Sequence, residues 1–207
     1  MCEKVTVLLP IYGGDNPEDL DEALNSVVQQ TRQPDEILIV QDGPVPESIA
    51  TIVERYRREY PVTRHVLDTN QGLPTALREG IRVASNDYIA RMDSDDLSTS
   101  DRIRKQANTL DRNPSLDVVG GQLLEVDPET KEIQSRREVP TDHREIERMA
   151  KHRSPMNHGT VMMRRDAVLA AGNYRRVRRM EDYDLWVRMI MNGSKFKNLP
   201  DVLLHAR

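Results

Sequence analysis

Apolar positions along the chain follow two spacings in turn, and this alternation predicts a layered α/β protein. Continuous aliphatic runs, which are typical of strands buried on both faces, occur at residues 5–9 and 36–40. Between them, apolar residues recur every three or four positions after Pro17, which predicts an amphipathic helix that begins there. A strand, a helix and a strand of these lengths are expected to form a right-handed βαβ unit.

The alternation continues along the rest of the chain. After a helix around residues 49–56, strands are predicted at residues 62–67 and 87–92, with a helix from Leu73 to Ala84 between them. The second half is predicted to contain helices at 101–113, 143–151, 166–171 and 181–192, and strands at 118–126, 133–139 and 159–164. The pattern therefore predicts an α/β fold with a Rossmann-like, mixed and mostly parallel sheet flanked by helices, in a single domain of residues 1–207.

Composition excludes several classes of protein. The 30 Lys and Arg residues against 34 Asp and Glu residues give a net charge of −4, so no basic field is present to hold a nucleic acid backbone. The single cysteine, Cys2, excludes a disulfide framework and suits a reducing compartment. No apolar run approaches the ~20 residues that span a bilayer, and the N-terminus lacks a signal-peptide pattern. We therefore expect a cytoplasmic protein.

Three carboxylates in four positions, in the segment Asp93-Ser94-Asp95-Asp96, follow a predicted strand. Like charges this close repel each other, and a bound cation relieves the repulsion. In an extended segment Asp93 and Asp95 point to the same face, which makes a two-pronged grip for manganese or magnesium. The alternative role is that of a helix N-cap, which accounts for one Asp only.

Other polar groups also follow predicted strands: residues 10–15, Asp42, and the segment Asn70-Gln71-Gly72 before a helix. The carboxyl ends of parallel strands converge, so these groups are expected to share one crevice with the acidic cluster. Asp42 either accepts a hydrogen bond from a nucleobase or is a turn residue before Gly43. The amides at residues 70–72 either bind phosphate or serve only to start the helix.

The segment Glu181-Asp182-Tyr183-Asp184-Leu185-Trp186 offers a candidate general base, because an acid beside a buried Trp is held rigidly. Helix-dipole stabilisation explains the same acids without catalysis. The basic tract at residues 175–179 is either a solvated loop or a clamp on diphosphate. His158 either contacts phosphate or acceptor, or forms a hydrogen bond within its own loop.

Taken together, these segments resemble the family 2 inverting glycosyltransferases of the glycosyltransferase-A fold, of the bacterial polysaccharide-biosynthesis type, over essentially the whole chain. The matching segments are residues 7–12, 26–31, 36–44, 70–73, 88–96, 157–161 and 181–186.

The resemblance implies specific roles. Asp182 matches the catalytic base, with Glu181 as the second candidate, and Asp95 and Asp93 match the metal-binding DxD motif, in which Asp93 also favours the ribose. The residues expected to bind the nucleotide-sugar are Pro10, Tyr12, Asp42, Asn70, Gly72, Arg91, Asp93, Asp95 and His158. Residues 1–96 correspond to the nucleotide-binding half and residues 97–207 to the acceptor-binding half.

The implied reaction moves a sugar from a UDP-sugar donor to a saccharide or lipid-linked acceptor, with manganese or magnesium as cofactor. A lipid-linked acceptor would bring the protein peripherally to the inner face of the cell membrane. The chain departs from the family pattern in two ways: Gln41 replaces a frequent Asp, and His205 precedes the usual metal-ligating His, as expected of a truncated C-terminus. The alternatives are a non-catalytic sugar-nucleotide-binding domain and a sugar nucleotidyltransferase, which the lack of a basic triphosphate loop after the first strand disfavours.

Overall fold

A computed structural model describes residues 3–177 and 179–207, and over these residues the chain forms nine strands and seven α-helices. The strands are β1 (Val5–Tyr12), β2 (Glu36–Asp42), β3 (Val62–Leu67), β4 (Tyr88–Arg91), β5 (Leu97–Ser98), β6 (Val118–Val126), β7 (Ile133–Arg137), β8 (Met162–Arg164) and β9 (Phe196–Ala206). The helices are α1 (Pro17–Val28), α2 (Glu47–Glu59), α3 (Leu73–Val83), α4 (Arg102–Arg112), α5 (His143–Met149), α6 (Arg165–Ala170) and α7 (Glu181–Met191). A 3-10 turn spans His158–Thr160.

All nine strands belong to one mixed sheet of order β3-β2-β1-β4-β8-β6-β9-β5, with β7 paired to β6. The first four strands in this order are mutually parallel, and β6 is parallel to β9. Strand β8 is antiparallel to both β4 and β6 and so joins the two parallel parts. Most paired positions are parallel, which confirms the predicted mixed, mostly parallel sheet.

Helices cover both faces of the sheet. Helices α1, α2 and α4 pack against one face, where Val5, Val7, Leu9 and Ile11 of β1 point. Helices α3, α5, α6 and α7 pack against the other face, where Leu8 points. Alternate residues of β1 thus enter opposite cores, which explains why this strand is a continuous apolar run in the sequence.

A polar network fastens the amino ends of three parallel strands. The buried carboxylate of Glu36, at the start of β2, accepts hydrogen bonds from the hydroxyls of Thr6 (2.7 Å), Thr63 (2.7 Å) and Ser85 (3.0 Å), and from the Ser85 amide (3.0 Å). These partners lie on β1, on β3 and directly after α3. One side chain therefore stabilises the sheet at the edge opposite to the ends of β1, β2 and β4.

The structure confirms the predicted helices and corrects some strands. Strand β1 continues through Pro10 to Tyr12. Beyond Leu8 it pairs only with β2, so the N–H group that Pro10 lacks costs no hydrogen bond to β4. The strand predicted at residues 159–164 is a 3-10 turn followed by β8. β7 ends at Arg137, before the predicted boundary at residue 139.

Strands β5 and β9 were not predicted. Cys2 lies outside the described residues. None of the described helices combines the length and the apolar character that crossing a bilayer requires.

Candidate functional site

A cleft of 670 Å³ opens at the carboxyl ends of β1, β2 and β4. This is the edge of a parallel sheet where ligands are expected. The cleft is lined by ten of the eleven predicted site residues, namely Pro10, Tyr12, Asp42, Asn70, Gly72, Arg91, Asp93, Asp95, His158 and Glu181. Asp182, the remaining predicted residue, is not part of this lining.

Of the six carboxylates that line the cleft, those of Asp15, Asp93, Asp95 and Asp96 lie close enough to influence one another's pKa. Burial and the neighbouring Asp93 raise the pKa of Asp95, and burial with Asp93 and Asp95 raises the pKa of Asp96 to about 7. Burial also raises the pKa of Asp15, against the lowering effect of hydrogen bonds from the Tyr12 amide and Ser94. Burial is the larger cause of each raised pKa and the like charges add to it, so a bound cation would favour the charged forms of these carboxylates.

Asp15 was not among the predicted site residues. It belongs to the polar turn after β1, and only its position after a strand end pointed to the crevice. Its carboxylate accepts a hydrogen bond from the Tyr12 amide at 2.9 Å, which holds the turn closed beside the acidic cluster.

Arg91 pairs with Asp93 through both guanidinium NH groups. The Arg91 side chain is only 3% exposed, whereas that of Asp93 is 34% exposed, so this bidentate ion pair is shielded from water on the arginine side and open on the carboxylate side. Asp95 forms no salt bridge with a described residue, so of the two carboxylates it is the one without a paired cation. The two carboxylates predicted to bind the metal together therefore differ, because Asp93 is already paired with an arginine and Asp95 is not.

The donor set suits a hard divalent cation, since carboxylate oxygens are its preferred ligands. No group of three or more His, Cys, Asp or Glu side chains within the described residues is arranged to hold a metal alone. A metal at Asp95 would need further oxygen ligands, which a bound diphosphate and water can supply.

Arg102 lies beneath the acidic cluster and is 1% exposed. Its guanidinium donates to the Arg91 carbonyl at 2.6 Å and to the Gln106 side-chain oxygen at 3.1 Å. Burial lowers the pKa of Arg102 to about 10, although the negative charge of Asp96 acts in the opposite direction. Arg102 thus fixes the end of β4, from which the acidic cluster follows.

Asp42 joins two loops of the cleft. Its two carboxylate oxygens accept hydrogen bonds from the amides of Gln71 and Gly72, each at 2.7 Å. The amides of residues 70–72 were candidates for binding phosphate. Two of them instead donate their hydrogen bonds to the Asp42 side chain. The loop that carries Asn70 is therefore held in place by hydrogen bonds between the end of β2 and the residues just before α3.

His158 lies over an aromatic layer at the base of the cleft. Its Nε2 is 2.8 Å from the hydroxyl of Tyr174, and its ring meets the edge of Trp186. Burial, with the positive charge of Arg91, holds the pKa of His158 well below its usual range. His158 is thus neutral at pH 7. It forms a hydrogen bond with Tyr174 in a neighbouring segment, and it also lines the cleft.

The two candidate bases at the start of α7 point differently. Glu181 lines the cleft, whereas the Oδ2 atom of Asp182 lies 3.2 Å from the Ser154 hydroxyl, which is equally close to the Met156 carbonyl. Asp184 is committed to an ion pair with Arg188 at 2.7 Å. Asp182 is therefore held by a single weak partner on the side of α7 that faces the segment before the 3-10 turn.

In the basic tract, Arg176 donates to the Gln71 carbonyl at 2.8 Å and to the Thr75 hydroxyl at 3.1 Å. Its guanidinium thus fastens the tract to the start of α3. Arg178 lies outside the described residues, and Arg175 and Arg179 are exposed.

Comparison with known proteins identifies the family. The family model described as glycosyl transferase family 2 matches residues 6–172. The amylovoran biosynthesis glycosyltransferase AmsE of Erwinia amylovora is 37% identical over 202 residues, which cover 98% of this chain and 75% of that protein. An Escherichia coli UDP-Gal:alpha-D-GlcNAc-diphosphoundecaprenol beta-1,3-galactosyltransferase is 31% identical, over 99% of this chain and 74% of its own length.

Solved structures agree on the fold. Staphylococcus aureus TarS 1-349 in complex with UDP-GlcNAc superposes with a TM-score of 0.76 at 22% identity, over 98% of this chain and 58% of that one. The mannosyltransferase PcManGT from Pyrobaculum calidifontis, in complex with GDP-Man and Mn2+, gives 0.74 at 17% identity, over 99% and 57%. The chain thus has the glycosyltransferase-A fold and belongs to glycosyl transferase family 2.

Proposed function

We propose that this glycosyltransferase moves a sugar from a UDP-sugar to a saccharide or lipid-linked acceptor in surface polysaccharide synthesis, with a divalent cation and with inversion at the anomeric carbon. The observation that carries this proposal is the convergence of Asp15, Asp93, Asp95 and Asp96 in the cleft at the ends of β1, β2 and β4. The E. coli relative is named for a UDP-sugar and a diphospholipid acceptor, and AmsE for polysaccharide synthesis.

Asp95, together with Asp93, would hold the cation, and PcManGT was solved with Mn2+. When bound, the metal supplies Lewis-acid stabilisation of the departing diphosphate. Asp93 is fixed by Arg91, so its orientation toward the ribose is set before the donor arrives. Tyr12, Asn70 and Gly72 line the side of the cleft where the nucleotide is proposed to lie.

Asp182 is the proposed base. Its carboxylate removes the proton from the acceptor hydroxyl, whose oxygen attacks the anomeric carbon from the face opposite the diphosphate. The Ser154 hydroxyl, which Asp182 shares with the Met156 carbonyl, contacts one oxygen of the carboxylate and leaves the other for the acceptor. A membrane-linked acceptor implies work at the cytoplasmic face of the membrane.

Calorimetric titration of UDP, first with manganese and then with a chelator, tests the proposal. We expect binding with manganese and a large loss of affinity with the chelator. Equal binding under both conditions would contradict the metal assignment. If GDP or CDP bound more tightly than UDP, the donor base would be a different one.

A second candidate, a domain that binds sugar-nucleotides without catalysis, is favoured by two observations. Arg91 already neutralises Asp93, and the described residues contain no three-ligand metal group. UDP binding that does not depend on metal, with no hydrolysis or transfer from any UDP-sugar, would support this candidate.

A further inference from the structure

One wall of the cleft is formed by a row of three side chains on neighbouring strands: Arg137 of β7, Leu123 of β6 and Leu204 of β9. Leu123 is paired with Arg137 on one side and with Leu204 on the other. Directly opposed residues of neighbouring strands point to the same face of a sheet, which places all three on the cleft side. Leu123 and Leu204 are buried, whereas Arg137 is exposed and is the polar member of this wall.

This wall lies beyond the acidic cluster when the cleft is followed from the proposed nucleotide side. In the sheet, β4, which leads into the acidic cluster, lies between β1 and β2 on one side and β6, β7 and β9 on the other. Leu204 also approaches the acidic cluster at Gly159, where an added Cβ would lie 2.8 Å from Leu204 Cδ2 and 3.0 Å from Asp96 Oδ2. A donor with its base near Asp42 and its diphosphate at Asp95 would therefore direct its sugar toward the wall.

Arg137 differs from the other arginines of the cleft in having no carboxylate partner. Three arginines line the cleft. Arg91 pairs with Asp93, and Arg207 pairs with two carboxylates of α1. Among the described residues, Arg137 forms hydrogen bonds only through its backbone. Its guanidinium is thus the one in the described lining that can bind a ligand without first leaving a carboxylate.

The backbone at Arg137 is fixed, although the side chain is exposed. Asn157, which is 1% exposed, donates from Nδ2 to the Arg137 carbonyl at 3.1 Å and to the Gly121 carbonyl at 3.0 Å. Side chains alternate along a strand, so Arg136 lies on the face opposite to Arg137, where it pairs with Glu138 at 3.1 Å. The fold therefore holds the Arg137 Cα in a defined position and directs its side chain to the cleft.

We propose that Arg137 is a specificity-determining residue, which donates hydrogen bonds to oxygen atoms of the sugar that is transferred. This inference rests on the proposed function and adds to it the residue that distinguishes one UDP-sugar from another. A guanidinium holds its donors in a fixed planar fork, so the strength of its contacts depends on where a sugar ring carries its hydroxyl, carbonyl or carboxylate oxygens.

The test measures the affinity of four UDP-sugars relative to UDP. UDP, UDP-glucose, UDP-galactose, UDP-N-acetylglucosamine and UDP-glucuronic acid are each titrated calorimetrically with manganese present. Dividing each UDP-sugar affinity by the UDP affinity of the same protein removes changes that arise at the nucleotide or the metal. We expect Arg137→Ala to lower this ratio about tenfold for the UDP-sugar that the wild type binds most tightly, the loss expected for a hydrogen bond from a charged group. The other ratios should fall less, so that selectivity narrows.

Arg136→Ala is the matched control, because Arg136 is an exposed arginine of the same strand that does not line the cleft. It should keep the wild-type ratios. Arg137→Lys retains the charge without the planar fork and should restore only part of the selectivity. Unchanged ratios in Arg137→Ala, or equal losses in Arg137→Ala and Arg136→Ala, would overturn the proposal.

Other outcomes separate this proposal from the proposed function. If Arg137→Ala weakened UDP as much as the UDP-sugars, the arginine would contact the diphosphate and not the sugar, and the proposal would be wrong. It would also be wrong if the wild type bound UDP but none of the four UDP-sugars, because the wall would then exclude the sugar. If the wild type did not bind UDP with manganese, the proposed function itself would fail, and this inference with it.

Discussion

Asp93 and Asp95 are two positions apart in the sequence, yet their carboxylates have different surroundings. Asp93 is neutralised by a buried arginine, and Asp95 has a pKa raised by burial and by Asp93. A cation is therefore expected to depend more on Asp95 than on Asp93.

Asp95→Asn should abolish the manganese-dependent part of UDP affinity, because it removes the carboxylate without a protein counterion. Calorimetry with manganese and with chelator measures this difference. Asp166→Asn, at an exposed position on α6, is the matched control and should retain the wild-type difference. Unchanged manganese dependence in Asp95→Asn would remove Asp95 from the metal site.

Asp182→Asn should leave UDP affinity intact and lower transfer by about 10²–10⁴-fold, the usual contribution of a general base. An asparagine keeps the shape of the side chain and the contact with Ser154 but cannot accept a proton. Transfer assays on this variant and on Glu181→Gln separate the two candidates. Full activity in Asp182→Asn with a loss in Glu181→Gln would move the base to Glu181.

Most cleft residues could be predicted, because a polar residue after a buried strand must lie at the edge of the sheet. The partners of those residues could not. That Arg91 holds Asp93, that Asp42 holds two amides, and that His158 is neutral all depend on side-chain directions that a linear pattern does not carry. Asp15 was missed for the same reason, since its turn had to fold back onto the acidic cluster.

At the scale of elements, the link between β2 and α3 shapes the nucleotide side of the cleft. The carboxylate of Asp42 substitutes for the missing hydrogen-bond partners of the Gln71 and Gly72 amides before α3 begins. The loop that carries Asn70 is thus held by a residue from another element.

Asp42→Ala should lower the free energy of unfolding by about 2–4 kcal/mol, since two amides lose their partner. It should also weaken UDP binding equally with and without manganese. Urea unfolding and calorimetry measure the two effects, and Asp68→Ala, an exposed residue before the same loop, serves as control. Wild-type stability in Asp42→Ala would show that the loop does not need this carboxylate.

Helices and strands were predicted best where apolar residues kept one regular spacing along the whole element. Helix α3 and strands β1 and β2 satisfied this condition. Strand β9 did not, because Asn198, Pro200 and Asp201 read as turn residues, whereas in the fold the pairing with β6 is irregular around them. Strand β5 is two residues long and exists only through its pairing with β9.

In the whole molecule, the hydrogen-bond network around Glu36 and the cleft lie at opposite edges of the sheet. Glu36 joins β1, β2, β3 and the segment after α3 at the amino edge, away from the cleft. Burial alone would raise its pKa, but the hydrogen bonds from Ser85, Thr6 and Thr63 outweigh burial and hold the pKa below its ordinary value of 4.5.

Glu36→Gln should lower the free energy of unfolding by about 1–3 kcal/mol at pH 7, because the amide places a donor against other donors. Since the folded-state pKa is lowered, this contribution is present above pH 4.5 and is lost as the pH falls through the folded value. Urea unfolding between pH 3 and pH 7 should show the wild type and the variant converging at low pH. Glu59→Gln, at the exposed end of α2, should show no such convergence, and UDP affinity should be unchanged in both variants.

The buried guanidinium of Arg102 has a consequence for how such chains can decay over evolution. Its nearby negative charges belong to the acidic cluster, and Asp96 is the main one that supports its protonated form. Burial, Asp93 and Asp95 nevertheless raise the pKa of Asp96 to about 7, so the charged form of Asp96 costs folding stability, and a neutral residue there would relieve this cost. Selection for folding alone would therefore not retain Asp96, so in a descendant that no longer transferred sugar the replacement of Asp96 would be an early sign of lost catalysis.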